Sequence, residues 1–184
     1  MELKTPRIAP LPETQWDEET RELMEEARRG DRILNIFRTL AHHPKLLKRW
    51  RVFGGHLLNK SSLPAREREL LILRIAWLQR GEYEWGQHSQ IGRDAGLTDE
   101  EILRVTQGPE AADWAAFDAT LLRAVDELHA AARLSDVVWQ ALTARYHTQQ
   151  MLDLLFTVGQ YQMLALVLNS IGVQLEEDKE GFPS

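Results

Sequence analysis

The sequence predicts an all-α fold. Apolar residues recur at three- and four-residue spacing along most of the chain, and strand-like alternation bounded by turn signals is missing. Glycine and proline separate these amphipathic segments at short intervals, as expected between consecutive helices. With 184 residues and no linker of domain-separating length, the chain fits one compact domain.

Composition divides the chain into three parts. Prolines near the start place residues 1–15 in an extended N-terminal arm, and helical patterning then covers residues 16–173. Residues 174–184 are polar and are expected to form a frayed C-terminal tail.

Nine helices are predicted within the patterned part. Gly30 is a stop signal for the first, Ser62 is predicted to cap the fourth, and Thr98 with Glu101 has the spacing of a capping box. The predicted helices are residues 16–29, 33–41, 44–58, 64–80, 82–96, 98–106, 111–132, 135–146 and 149–171.

Charge and cysteine content exclude several classes of function. The chain has 22 Lys and Arg and 28 Asp and Glu, which gives a net charge of −6. Nucleic-acid binding is therefore not expected, because it needs basic residues that displace counterions from the phosphates. The absence of cysteine excludes disulfides, thiolate metal ligands and dithiol redox chemistry. It also fits a reducing compartment, and no apolar secretion signal is recognisable, so we expect a cytoplasmic protein without a nucleic-acid partner.

The most apolar segment, residues 151–173, is predicted to be an internal helix. Its polar residues Asp153, Gln160, Gln162 and Asn169 would be costly in lipid, so no membrane span is expected. A helix that is apolar on most of its circumference needs neighbours all round, which a small monomer hardly supplies. The segment therefore predicts a homo-oligomer.

One candidate acid lies in the segment 64–80. Arg66 and Glu69 share a helical stripe whose other members look largely buried. Glu69 therefore either forms an intrahelical ion pair with Arg66 or points into a pocket.

A second group surrounds His88. Glu84 and His88 are four residues apart and are predicted to meet on one helical face, where a carboxylate fixes the imidazole tautomer. Such a pair is a workable acid–base unit, although a surface contact is the alternative. Tyr83 and Trp85 either wall a pocket or belong to the core, and the same two options apply to His56.

No cofactor is predicted. Glu69, Glu84 and His88 can in principle bind a divalent ion, but a paired-histidine zinc motif, a glycine-rich phosphate loop and a nucleophile elbow are all missing. We therefore expect neither a metal ion nor an organic cofactor.

Three runs resemble the signature of the carboxymuconolactone decarboxylase family, which is related to the alkylhydroperoxidase D-like proteins. They are PARERELLILRIA at residues 64–76, EYEWGQH at 82–88 and GRDAGLTDEEI at 92–102. The resemblance implies an alkylhydroperoxidase D-like helical fold that assembles as trimers or hexamers. It also places the family glutamate on Glu69 and the family histidine on His88.

The resemblance implies a reaction as well. The peroxidase branch relies on two thiols, which this chain lacks. The decarboxylase branch implies proton-transfer decarboxylation or lactone isomerisation of a small carboxylated substrate, with Glu69, Glu84 and His88 as the catalytic residues. Arg66 or Arg74 would then bind the substrate carboxylate.

An alternative function remains open. The same scaffold also fits a non-catalytic oligomer that binds a small ligand or takes part in a stress response. A binder of that kind is stabilised by its ligand without consuming it, whereas an enzyme converts the ligand.

Overall fold

The computed structural model describes residues 3–28 and 30–183. Within them the chain forms nine α-helices and a short 3-10 helix, Glu13–Gln15, so the predicted all-α class is confirmed. The helices are α1 Glu18–Ala27, α2 Asn35–Leu40, α3 Pro44–Asn59, α4 Ala65–Leu78, α5 Glu82–Asp94, α6 Asp99–Val105, α7 Ala116–Ala131, α8 Asp136–Thr143 and α9 Thr148–Ile171. Residues 1, 2, 29 and 184, which belong to the predicted arm, first helix and tail, lie outside the described residues.

Local signals explain several helix boundaries, with one exception. The capping box at Thr98 is present, and the Ser135 side chain caps α8. The prediction that Ser62 caps α4 is wrong, because Pro64 occupies that position without a side-chain cap. Ser62 instead donates its backbone N–H and its hydroxyl to Asp153 of α9, at 2.6 Å each.

Helix α7 begins at Ala116 rather than at residue 111. Asp113 adopts a φ of 68°, in the left-handed region that interrupts a right-handed helix. The indole N–H of Trp114 donates to the carbonyl of Gly108 at 3.1 Å and holds this turn in place.

Helix α4 is the centre of the fold, and it packs most extensively against α5, α7 and α9. Every residue from Leu70 to Ala76 is buried, which explains why this segment has so little amphipathic character. Trp77 contacts Trp85 near the α4–α5 turn, and Glu69 contacts His88 further from it. The two helices are therefore antiparallel neighbours, and this arrangement places the predicted acid beside the predicted histidine.

Helices α1, α2 and α3 contribute a second, smaller apolar cluster. Phe37 and Trp50 are partly buried and pack against both this cluster and the main core. The rings of these two residues lie 6.2 Å apart, so they join the α1–α3 unit to the rest of the chain.

Among the described residues, α9 is the helix whose length and composition would allow it to cross a membrane. Half of its most apolar window is buried inside the chain, as is common for a core helix. Its polar residue Gln160 lies on the buried side. The opposite side exposes five large apolar side chains, namely Leu152, Phe156, Met163, Leu166 and Val167.

The C-terminal tail is packed rather than frayed. The ring of Phe182 contacts Trp77 edge-on at 5.2 Å and Trp85 at 5.5 Å. Further up the tail, the Glu176 carboxylate accepts hydrogen bonds from the Tyr83 hydroxyl and the Asn35 backbone N–H. A few anchoring side chains thus order a segment whose average composition is polar.

Candidate functional site

A cavity of about 450 Å³ separates the α1–α3 unit from α5 and α9. Its walls are mainly apolar, with Ile36 and Phe37 on one side and Leu164 and Leu168 on the other. The tail contributes Glu176 and adjoining residues to the rim. A largely apolar cavity with a few polar side chains is typical of a small-molecule site.

His88 and Glu69 form a buried pair behind one wall of this cavity. Nδ1 of His88 lies 2.6 Å from Oε2 of Glu69, whose side chain is fully removed from solvent. The second Glu69 oxygen accepts a 2.9 Å hydrogen bond from Nε of Arg68. Because the carboxylate accepts from Nδ1–H, Nε2 is the nitrogen that can exchange a proton with a bound molecule. The Tyr161 ring contacts the imidazole edge-on at 4.8 Å.

The geometry corrects two sequence-based interpretations of this pair. Glu69 binds neighbouring Arg68 rather than Arg66, and it still reaches His88. Glu84 does not pair with His88, because neither oxygen of its carboxyl group has a hydrogen-bond partner. The i, i+4 spacing brings Glu84 and His88 to one helical face, but the carboxylate that holds the imidazole comes from α4.

Glu84 is a second buried acid lining the cavity, only 2% exposed. Its carboxyl group lies against the α4–α5 turn, where a Cβ on Gly81 would come within 2.6 Å of Oε2. Removal from water, without a compensating hydrogen bond or cation, raises the pKa of Glu84 well above its ordinary value. The site therefore combines a carboxyl group whose pKa is raised by burial with an imidazole that is hydrogen-bonded to a second buried carboxylate.

The segment that builds this site matches a known family. Residues 44–133 match the model of the carboxymuconolactone decarboxylase family, and they include Glu69, Glu84 and His88. The chain is therefore similar to that family over these 90 residues. Its lack of cysteine fits a cysteine-free branch.

Solved structures similar to this chain share its alkylhydroperoxidase D-like fold. An uncharacterised peroxidase-related protein from Ralstonia eutropha JMP134 has a TM-score of 0.81 at 18% identity, covering 93% of this chain and 94% of that one. A peroxidase-related protein from Silicibacter sp. TM1040 has a TM-score of 0.78 at 16% identity, covering 96% and 92%. The debrominase Bmp8 in complex with 2,3,4-tribromopyrrole has a TM-score of 0.74 at 11% identity, covering 95% and 94%.

These identities are low enough that the similarities establish the fold alone. No curated protein matches the chain in sequence. Any assignment of chemistry to this chain therefore rests on its own residues.

The two arginines predicted to bind a substrate carboxylate do not line the cavity. Arg66 forms ion pairs with Asp118, at 2.9 Å, and with Glu101. Arg74 donates to both oxygens of Asp126, at 2.7 and 3.0 Å. Both guanidinium groups thus join α4 to α6 or α7 and stabilise the fold.

Of the three remaining residues that were predicted to bind the substrate, one lines the cavity and two lie elsewhere. Tyr83 lines the cavity, as the sequence suggested, and its hydroxyl donates to Glu176 at 2.9 Å. Trp85 is buried against other aromatic rings and does not line the cavity. His56 is largely exposed, with Nε2 3.5 Å from Asp153, and also lies outside it.

Two residues that line the cavity, Gln160 and Trp50, were not predicted as site residues from the sequence. Gln160 is a polar residue within an apolar helix, and this pattern could have indicated a special role from the sequence. In the structure its side chain is only 4% exposed. Trp50 carried no such signal, because its place in the cavity depends on how α3 packs against the core. Over the described part of the chain, no group of three or more His, Asp or Glu side chains is placed to hold a metal ion.

Proposed function

We propose that this protein catalyses proton transfer on a small organic molecule bound in the cavity. His88 acts as the base and Glu84 as the acid, and the reaction is the decarboxylation or lactone isomerisation of a carboxylated compound. One observation carries the proposal: a buried carboxyl group without a hydrogen-bond partner and an imidazole bonded to a second buried carboxylate line one mainly apolar cavity.

Glu69 prepares His88 for this role. Accepting a hydrogen bond from Nδ1–H fixes the tautomer in which Nε2 carries the lone pair. When Nε2 takes a proton from the substrate, the negative charge of Glu69 stabilises the imidazolium that forms. Glu69 is therefore a positioning residue that acts through His88.

Glu84 supplies the proton that each reaction adds to a substrate carbon. In a decarboxylation the bond to the carboxylate carbon breaks, CO₂ leaves, and the electron pair left on the substrate carbon takes the Glu84 proton. In a lactone isomerisation His88 removes a proton at one position and Glu84 returns one at another. The raised pKa of Glu84 keeps this group protonated where an ordinary glutamate would be ionised.

The substrate carboxylate needs a cation other than Arg66 or Arg74. Among the described residues, Arg28, Arg32, Arg51 and Lys179 are the lysine and arginine side chains that line the cavity. Arg28 forms an ion pair with Glu25, and Arg32 forms one with Asp178. Arg51 already donates to the backbone carbonyls of Leu23 and Glu26, at 3.0 and 2.8 Å. We therefore assign the carboxylate to Lys179, whose ammonium group would give a charge-assisted hydrogen bond.

We also propose that the protein is a homo-oligomer that buries the α3–α9 face. This face consists of Val52, Phe53, Leu152, Phe156, Met163 and Leu166, all exposed in the single chain. The rings of Phe53 and Phe156 lie 6.0 Å apart, so the face is continuous across both helices. Apolar patches of this kind mark interaction surfaces, and the family resemblance favours a trimer or hexamer.

Turnover of carboxylated muconolactone-type compounds tests the catalytic proposal. Release of CO₂ and loss of lactone absorbance would be followed for the wild type and for His88→Ala, Glu84→Gln and Glu69→Gln. Each variant should lose on the order of 10²–10⁴ in rate. The matched controls His129→Ala and Glu22→Gln change exposed residues outside the cavity and should keep wild-type rates.

The result also separates the enzyme from a non-catalytic binder. If these compounds raise the melting temperature but remain unconverted in the wild type, the proposal fails and the ligand-binding alternative stands. Equal rates in the wild type and all three variants would likewise exclude the assigned roles.

A further inference from the structure

We infer that Trp50 of α3 and Gln160 of α9 form a subsite for a neutral hydroxyl group of the substrate. The inference rests on the proposed function in that the ligand is the molecule converted in this cavity. It adds a recognition element on two helices other than those that carry the reacting groups.

Besides the Glu84 carboxyl oxygens, two buried polar atoms on residues that line this cavity have no hydrogen-bond partner within the described chain. They are Nε1 of Trp50 and Oε1 of Gln160, and both residues line the cavity. Nearly all buried polar atoms in proteins are hydrogen-bonded, because an unpaired one loses its interaction with water without compensation. Because both residues line the cavity, we infer that a molecule bound there supplies the missing partner when the two side chains turn towards it.

The two side chains converge around Gly54. A Cβ added to Gly54 would lie 3.7 Å from Cε2 of Trp50 and 3.8 Å from Nε2 of Gln160. Cε2 is bonded to the indole Nε1, and Nε2 shares its carbon with Oε1. The donor and the acceptor thus belong to side chains that flank the same small region of the wall.

The chemistry of the two atoms selects the ligand group. An indole N–H can only donate a hydrogen bond, and an amide oxygen can only accept one. A hydroxyl satisfies both at once, because it accepts from Trp50 and donates to Gln160. A carboxylate would satisfy the indole but would place negative charge against the amide oxygen, and an ammonium group would leave the indole unpaired.

The subsite and the reacting groups belong to one continuous wall. Gln160 directly precedes Tyr161, and the Tyr161 ring contacts the His88 imidazole at 4.8 Å. A substrate anchored through a hydroxyl at Trp50 and Gln160 is therefore held in the same cavity as His88 and Glu84.

Three probes of the same shape test the subsite: p-cresol, p-xylene and p-toluate. Their affinities for the full chain would be measured by titration, following the indole N–H resonance that disappears in Trp50→Phe. Two net hydrogen bonds should make p-cresol bind about tenfold more tightly than p-xylene and also more tightly than p-toluate. The Trp50 resonance should shift with p-cresol far more than with p-xylene.

Four variants test whether the preference for p-cresol arises at Trp50 and Gln160. Trp50→Phe and Gln160→Met should reduce the p-cresol preference to about threefold or less, because each removes one hydrogen bond but keeps an apolar wall. Gly54→Ala should weaken p-cresol binding by adding a methyl group between the two side chains. Gly159→Ala is its control, since a Cβ there would meet nothing within 4 Å and Gly159 does not line the cavity.

Equal affinity for p-cresol and p-xylene in the wild type would overturn the inference, as would failure of all three probes to bind. A preference that survives in both Trp50→Phe and Gln160→Met would also overturn it. Failure of the proposed function looks different: the wild type would keep the p-cresol preference but convert no substrate. His88→Ala should likewise keep the preference while losing turnover.

Discussion

Glu69 accepts a 2.6 Å hydrogen bond from Nδ1 of His88 at a position where the carboxylate has no contact with solvent. The same carboxylate accepts from Arg68, so one buried anion serves two side chains of two helices. The Glu69 carboxylate therefore stabilises the packing of α4 against α5 and also orients the imidazole that lines the cavity.

Replacing Glu69 should therefore destabilise the fold strongly. Glu69→Ala leaves the largely buried Arg68 guanidinium and the His88 ring without their shared partner. We expect a loss of about 3–5 kcal/mol in the free energy of unfolding, measured by urea denaturation. Glu25→Ala is the control, because Glu25 pairs with Arg28 at the surface, where solvent screens the ion pair, and its loss should change the stability little. Similar losses in both variants would contradict a special role for the buried pair.

Glu84 should destabilise the folded chain as the pH rises. In the unfolded chain this carboxyl group ionises near its ordinary pKa of 4.5, whereas burial keeps it protonated in the folded chain. The folded state then binds the additional proton, so raising the pH above 4.5 favours unfolding until the raised folded pKa is reached.

Removing that carboxyl group should stabilise the protein at neutral pH while abolishing turnover. Glu84→Met replaces an unpaired polar group with an apolar one of similar length, and we expect a gain of about 1–3 kcal/mol. Urea denaturation at several pH values should show the gain shrinking as the pH falls towards 4.5. A pH-independent effect, or a loss of stability at neutral pH, would show that Glu84 is ionised and paired in the folded protein.

The tail should detach when α5 gains a methyl group at Gly86. A Cβ there would lie 2.7 Å from Cδ1 of Leu175 and 2.8 Å from the backbone oxygen of Glu180. We expect Gly86→Ala to lose about 1–3 kcal/mol and to expose the tail to limited proteolysis, despite the higher helix propensity of alanine. Gly55→Ala has open space around the new methyl and should be neutral or stabilising by up to about 1 kcal/mol. An intact, protected tail in Gly86→Ala would contradict close packing against α5.

The α3–α9 face should govern the oligomeric state. Phe156 is 55% exposed in the single chain, so a charge introduced there would be buried in the proposed assembly. Sedimentation of the wild type should give a trimer or hexamer, and Phe156→Glu should give a monomer that remains helical. Leu103→Glu, on α6 and 50% exposed, should leave the assembly intact. A monomeric wild type would end the proposal.

The helices were predictable because their signals are local. The capping box at Thr98 and the apolar spacing along the chain are read within a few residues, and all nine helices were expected. The exceptions also have local causes that composition does not reveal. Ser62 bonds to Asp153 of α9, and Asp113 turns the backbone into the left-handed region before α7.

The site was predictable only in part, because its contacts join distant segments. The family motif indicated Glu69 and His88, and the helical spacing indicated Glu84. The partners of Arg66 and Arg74, however, are Asp118 and Asp126, each 52 residues further along the chain. Such pairs depend on how α4 docks on α7, which no local pattern encodes.

The role of His88 as the base in a proton-transfer cavity can be examined by running the reaction in D₂O. Wild-type protein and His88→Ala would be given the carboxylated muconolactone-type compounds, with the product analysed by mass spectrometry and NMR. We expect the wild-type product to carry one deuterium in a single configuration, and the variant to form it at least about 10²-fold more slowly. Equal rates in both proteins, or deuterium without configurational preference, would contradict proton transfer by the groups of this cavity.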